Sequence, residues 1–216
     1  MKKKILWLIA ARSGSKSIPD KNIKHLGGYP LISYRIQSVK NIQVLGDVWV
    51  STDCEKYAEI AREYGAETPY LRPDFLATDE ASSTDVVLHA MKHALSLNKR
   101  YEYVALLEPT SPFIKSNDLE KAVHLLSEDV KATAIVATKE SRPNKIFTQR
   151  DDKYLSELAN NIATFEKLGR QFFKKEITPS GGFYISKWDD FLENKSFYTE
   201  TTLSYLVDDI SGFKID

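Results

Sequence analysis

Ile5-Leu6-Trp7-Leu8-Ile9-Ala10 is an unbroken apolar run, and Ala11-Arg12-Ser13-Gly14-Ser15-Lys16-Ser17-Ile18-Pro19-Asp20-Lys21-Asn22 follows it directly. A strand of a parallel sheet is covered by helices on both faces and therefore reads as continuous apolar residues rather than as an alternation. Such a strand emptying into a small, polar, cationic loop fits an open α/β sheet, whose ligands sit beyond the carboxyl ends of the strands.

Outward from that run, strands and helices alternate. A helix is expected over 30–40, with Pro30 at its start. A strand over 47–51 leads to a helix over 55–64, capped by Asp53 and stopped by Gly65. A short strand is read at 68–71. Ser82 and Ser83 cap a helix that carries Val86, Val87, Met91, Ala94 and Leu95 at helical spacing. A strand at 103–107, a turn at 108–112, a helix over 117–126 and a strand at 132–138 follow. Later come a strand at 182–186, a short helix at 188–192 and a strand at 203–207. This order predicts one α/β domain over 1–216, a mostly parallel twisted sheet with helices on both faces. The loops after Ala10, Ser51 and Leu107 are the ones to place at the ligand edge. Between 139 and 178 the pattern weakens into polar residues, and a lid or a small protruding dimerisation arm is expected there. Trp7, Trp49 and Trp188 read as core anchors, and Tyr101 and Tyr103 as neighbours on one face of a strand.

Composition narrows the function. Hydrophobic residues make up 42% and charged residues 28% of the 216, an ordinary globular balance. Net charge is zero, which speaks against a surface built to coat nucleic acid. The charge is unevenly placed: residues 1–40 hold nine Lys or Arg and one acid, Asp20. A local basic patch on a neutral chain suits a compact polyanion such as a nucleoside triphosphate. The lone cysteine, Cys54, allows no intrachain disulfide, which fits a cytoplasmic setting. The first apolar run is too short to span a bilayer and lacks a secretory cleavage pattern, so no membrane partner is expected.

The loop after Ala10 carries the chemistry. Ser13, Gly14 and Ser15 are small enough for backbone N–H groups to approach an anion. Arg12, Lys16 and Lys21 put three cations within ten residues. A triphosphate under attack needs charge neutralised at the α-phosphate and on the departing pyrophosphate. Neither Gly-x-x-x-x-Gly-Lys-Ser/Thr nor Gly-x-Gly-x-x-Gly occurs here, so this is not the common P-loop or the dinucleotide fingerprint. His89 and His93, four apart, lack the glutamate of a metalloprotease helix and read as a helix face. Ser83 and Ser111 lack triad partners.

The stretch 9–22, followed by Leu26-Gly27-Gly28-Tyr29-Pro30-Leu31-Ile32, resembles the acylneuraminate cytidylyltransferases. Further blocks are similar: Val50-Ser51-Thr52-Asp53; Leu71-Arg72-Pro73 with Asp79 and Ala81-Ser82-Ser83; Leu107-Glu108-Pro109-Thr110-Ser111-Pro112; Arg142-Pro143; Lys145; Arg170-Gln171; and 181–185. The resemblance implies a nucleotide-diphospho-sugar transferase-like fold and transfer of CMP from CTP to the anomeric hydroxyl of a nine-carbon α-keto acid sugar. Sialic, legionaminic and pseudaminic acids are the acceptor types, with pyrophosphate released, Mg²⁺ assisting and a homodimer as the assembly. It implies that Arg12, Lys16 and Lys21 clamp the phosphates. Ala10, Ala11, Ser15, Asn22, Arg72 and Ser83 would surround the nucleotide. Glu108, Lys145, Arg170 and Gln171 would fall on the sugar side, and Asp216 on the metal.

Three departures from the family pattern bear on the acceptor. Glu108 stands where a glutamine is usual. Thr178-Pro179-Ser180-Gly181-Gly182 stands for Arg-Pro-Asn-Gly-Ala and loses an arginine suited to a carboxylate. Phe213-Lys214-Ile215-Asp216 stands for Ile-Asp-Ile-Asp, so Lys214 replaces one metal-binding carboxylate, for which Asp208 or Asp209 is a substitute. These departures keep two other readings open: a different acidic or phosphorylated acceptor, and a catalytically silent nucleotide-binding subunit.

Overall fold

A computed structural model of the chain describes residues 4–141, 147–149, 155–157 and 176–215. β1 (Ile5–Ala10) is paired on both sides in parallel, with β4 (Gly46–Ser51) and with β5 (Tyr103–Leu107). Among the described residues a six-stranded sheet runs in the order β10-β6-β9-β5-β1-β4. β6 is Ala134–Ser141, β9 is Glu176–Lys187 and β10 is Thr202–Leu206. β10 is parallel to β6, whereas β9 runs antiparallel between β5 and β6. The expected mostly parallel sheet is therefore present with one reversed strand.

Period-two alternation divides β1 between two cores. Ile5, Trp7 and Ile9 face a layer formed by α1 (Leu31–Lys40), α2 (Glu55–Glu63) and α4 (Ser116–Glu128). Leu6 and Leu8 face α3 (Ser83–Ser96) and α5 (Trp188–Asn194). All five side chains are essentially inaccessible, which is why the run reads as apolar throughout. Trp7, Trp49 and Trp188 are core residues as expected. Leu95 turns out to be exposed, while Val86, Val87, Met91 and Ala94 hold the apolar face of α3.

Several local expectations are corrected. The stretch 68–71 forms no strand; a single bridge joins Trp49 to Glu67. Tyr101 and Tyr103 join opposite cores, because Tyr101 precedes β5 and its hydroxyl donates to Asp47 Oδ2 at 2.6 Å. Cys54, not Asp53, occupies the cap of α2, with no side-chain cap bond. Gly65, at φ +89°, lies just beyond the end of that helix. The loop after β1 is partly ordered by a 3-10 turn at Lys21–Ile23 and a small hairpin of β2 (His25–Leu26) and β3 (Tyr29–Pro30).

The polar excursion starts later and ends earlier than its composition suggests. Lys139, Glu140 and Ser141 pair with Thr178, Ile177 and Glu176, so β6 and β9 carry its base as an antiparallel ribbon. Within it β7 (Phe147–Gln149) pairs antiparallel with β8 (Leu155–Glu157). Among the described residues no helix is long and apolar enough to cross a membrane.

Candidate active site

β1 has β4 on one side and β5 on the other. The chain runs from β1 through α1 to β4, then crosses back over β1 to reach β5. Loops leaving β1 and β5 therefore diverge, and a cleft opens between them at the carboxyl edge. A cleft of about 330 Å³ lies there. It brings together Ala10, Arg12, Ser15, Lys21, Asn22, Arg72, Ser83 and Glu108. Ala11 is fully buried behind the rim, its N–H donating to Ser51 O at 3.0 Å. Lys16 stands outside the lining with its side chain exposed. Lys145, Arg170, Gln171 and Asp216 lie outside the described residues.

The loop is braced from beneath. Asp53 accepts from the Ser13 N–H at 2.9 Å and from its hydroxyl at 2.6 Å. The Ser15 N–H turns back to Ser13 O at 2.9 Å. The amide N–H groups of Ser13 and Ser15, expected to face an anion, are thus engaged within the protein. Asn22 is buried and donates its amide to Arg12 O at 2.9 Å, tying the two ends of the loop together. Asp20 takes a left-handed φ of 54° and accepts from Tyr57 Oη at 3.1 Å.

Arg72 is a second fixed element. It is 5% exposed, donating Nε to Ser51 Oγ at 3.0 Å and Nη2 to Ser51 O at 2.5 Å. Burial lowers its pKa from the ordinary arginine value, yet guanidinium basicity leaves it charged. Ser83 begins α3, whose cap is Ser82 accepting from Asp85 N at 3.1 Å. The start of that helix adds partial positive charge to the same wall.

Asp79 binds both outer cations, Arg12 and Lys16. Hydrogen bonds from Lys16 and then Arg12 hold its carboxyl below the usual range. On the opposite wall Glu108 Oε2 is 2.9 Å from Lys214 Nζ, and Tyr184 Oη donates to Oε1 at 3.4 Å. The roles of Asp79, Asp53 and Lys214 escape a linear reading. Their partners are 67, 40 and 106 positions away, beyond any local spacing rule.

Of the carboxylates that could serve a metal, Asp79, Glu108 and Asp208 are already engaged, while Asp209 is exposed and lies outside the cleft lining. Asp79 and Glu108 each face cations, and Asp208 pairs with Lys115 at 2.5 Å and accepts from Ser211 N at 2.7 Å. Among the described residues no group of three His, Cys, Asp or Glu side chains could hold a metal ion. The described residues do not by themselves form a Mg²⁺ cage, and Asp216 lies outside them.

A family model described as Cytidylyltransferase matches residues 6–204. The N-acylneuraminate cytidylyltransferase of Escherichia coli O18:K1:H7 is 37% identical over 217 residues, covering 100% of this chain and 50% of the relative. The CMP-N,N'-diacetyllegionaminic acid synthase of Legionella pneumophila is 31% identical, covering 96% of this chain and 88% of the relative. The chain thus spans half the length of the first relative and most of the second. A solved CMP:2-keto-3-deoxy-manno-octonic acid synthetase complexed with CTP has a TM-score of 0.67 at 16% identity, covering 94% of this chain and 90% of that one, and it supports the fold alone. With the family model matching from the first strand to the last, the chain belongs to the cytidylyltransferase family.

Proposed function

We propose that the chain transfers CMP from CTP to the anomeric hydroxyl of a nine-carbon α-keto acid sugar. The observation that carries this reading is the convergence of Arg12, Lys21, Arg72 and Ser83 on one cleft at the β1–β5 switch. The relatives named for sialic-type and legionaminic-type acids support the acceptor class. The acceptor oxygen attacks the α-phosphorus, the bond to the β-phosphate oxygen breaks, pyrophosphate leaves and the hydroxyl proton passes to solvent. Arg12 and Lys21 neutralise the phosphates as charge moves onto the leaving group, and Lys16 adds charge from the rim. Arg72, Ser83, Asn22 and the Ala10 end of β1 enclose the nucleoside. Glu108 borders the acceptor, and Lys145, Arg170 and Gln171, outside the described residues, are assigned to sugar binding by the family resemblance alone. Mg²⁺ would accompany the triphosphate as its counter-ion.

The excursion between β6 and β9 is proposed as the arm of a homodimer, and a cytoplasmic site of action fits the single cysteine. Titrating CTP, UTP, ATP and GTP with Mg²⁺ tests the nucleotide assignment by heat of binding. Selective CTP binding, followed by pyrophosphate release with N-acetylneuraminic, N,N'-diacetyllegionaminic or pseudaminic acid, is the expected result. Preference for another nucleotide overturns the cytidine assignment. CTP binding without turnover of any of the three acids overturns the acceptor class.

A further inference from the structure

Two of the three departures from the family pattern contact one another. Glu108 follows β5 directly, and Lys214 reaches it across 2.9 Å from a segment more than a hundred residues away. Both border the cleft. The contact is held by backbone on both sides rather than by a wandering side chain. Ile215 donates its N–H to Thr110 O at 2.8 Å, and the Phe213 ring meets Phe113 with centroids 6.3 Å apart. Gly212 N donates to Asp208 O at 2.8 Å. The residues flanking Lys214 are thus docked on the turn that carries Glu108.

A bare carboxylate on this wall would repel an anionic acceptor, whereas a lysine–glutamate pair has no net charge. It still presents donor and acceptor atoms, which match hydroxyl and amide groups. Tyr184 donates to the second carboxylate oxygen and limits its rotation. Gly181 leaves the space that the carboxylate occupies.

We propose that Glu108 and Lys214 act as one acceptor-selecting unit, a neutral pair that reads hydroxyl or amide groups of the acceptor and shields its anionic group from Glu108. This rests on the acceptor side of the proposed function. Glutamate without the lysine leaves an uncompensated acid facing an acid.

The test is calorimetric binding of N-acetylneuraminic, N,N'-diacetyllegionaminic and pseudaminic acids to the full chain saturated with α,β-methylene-CTP. Lys214→Met is expected to weaken acid-sugar binding about tenfold while nucleotide affinity moves less than about threefold. The E108Q/K214M double variant is expected to lose less than the two single variants' losses combined, and Glu108→Gln alone to weaken acid-sugar binding less than Lys214→Met does. The Lys214→Met defect also shrinks as ionic strength rises, because the repulsion it exposes is screened. Additive losses in the double variant, an unaffected Lys214→Met, or equal losses of nucleotide and sugar overturn the pair. Nucleotide binding with no acid sugar bound by the unaltered chain overturns the acceptor reading and the pair with it. Absence of nucleotide binding refutes the nucleotide reading instead.

Discussion

Asp53 grips Ser13 twice, accepting from its backbone N–H at 2.9 Å and its hydroxyl at 2.6 Å. The carboxylate comes from the end of β4 and the serine from the loop after β1, so neighbouring strands brace the cationic loop between them. Hydrogen bonds to an ionised acceptor contribute about 1.5–3 kcal/mol. Asp53→Ala is therefore expected to destabilise the fold by about 2 kcal/mol and to weaken CTP binding about tenfold as Arg12 loses its fixed position. Asp53→Asn keeps one accepting oxygen and should fall between the two. Denaturant melts and CTP titrations check both. Unchanged affinity in Asp53→Ala would show that the loop needs no brace.

Arg72 tests whether a guanidinium is required rather than a positive charge. Its Nε and Nη2 engage the hydroxyl and carbonyl of Ser51, and Nη1 reaches Leu76 O at 3.5 Å. An ammonium cannot reproduce that planar fork. Arg72→Lys is expected to cost about 2 kcal/mol of stability and to lower CTP affinity about tenfold despite conserving charge. Thermal melts with and without CTP report the two effects separately. A lysine variant indistinguishable from the parent would mean that Arg72 contributes charge alone.

The scaffold was legible because its signals are local. The run 5–10 shows a doubly covered strand, and glycine, proline and serine positions bound most helices. The anion loop was legible from small residues beside cations. What sequence could not supply were contacts closed by topology. Asp53 reads as a helix cap by its spacing from residue 55, yet tertiary packing turns it toward Ser13. Asp79 reads as one acid in a polar loop until the fold sets it against Arg12 and Lys16. Glu108 and Lys214 look like separate losses along the chain and are one contact in space. The reversed β9 also escapes, since nothing in its apolar alternation encodes direction relative to β5.

Asp79 competes with phosphate for Arg12 and Lys16, and removing it should tighten nucleotide binding. Asp79→Asn is expected to raise CTP affinity about threefold, since exposed ion pairs are weak and screened. The pH dependence has a definite sign. The folded carboxyl lies below its ordinary value, held there by Lys16 and then Arg12. The pairing is therefore complete above the ordinary carboxylate range, near pH 4, and is lost only as pH falls through the lowered value. The difference between Asp79→Asn and the parent should be constant from pH 6 to pH 8 and shrink only under acid. Paired CTP titrations across that range check it. A parent that binds CTP more tightly than the variant would make Asp79 part of the binding apparatus.

Gly181 controls the wall on which Glu108 rests. Its φ of +77° disfavours any residue with a Cβ, at about 1–2 kcal/mol. An added Cβ would also lie 2.9 Å from Glu108 Oε2 and 3.4 Å from Ser111 Oγ. The first distance is too short to persist, so the flexible carboxylate end must yield and leave Lys214. Gly181→Ala is therefore expected to destabilise the fold by about 1–2 kcal/mol and, separately, to weaken acid-sugar binding while sparing CTP. The two consequences have different causes and should part in a double variant. Glu108→Ala added to Gly181→Ala removes the clash but not the backbone strain, so stability stays low while the further loss in sugar binding caused by Gly181→Ala disappears. Chemical denaturation and sugar titrations on the four chains of this cycle check it. Equal sugar losses from Gly181→Ala with and without Glu108 would place the effect in the backbone turn rather than in the Glu108–Lys214 contact.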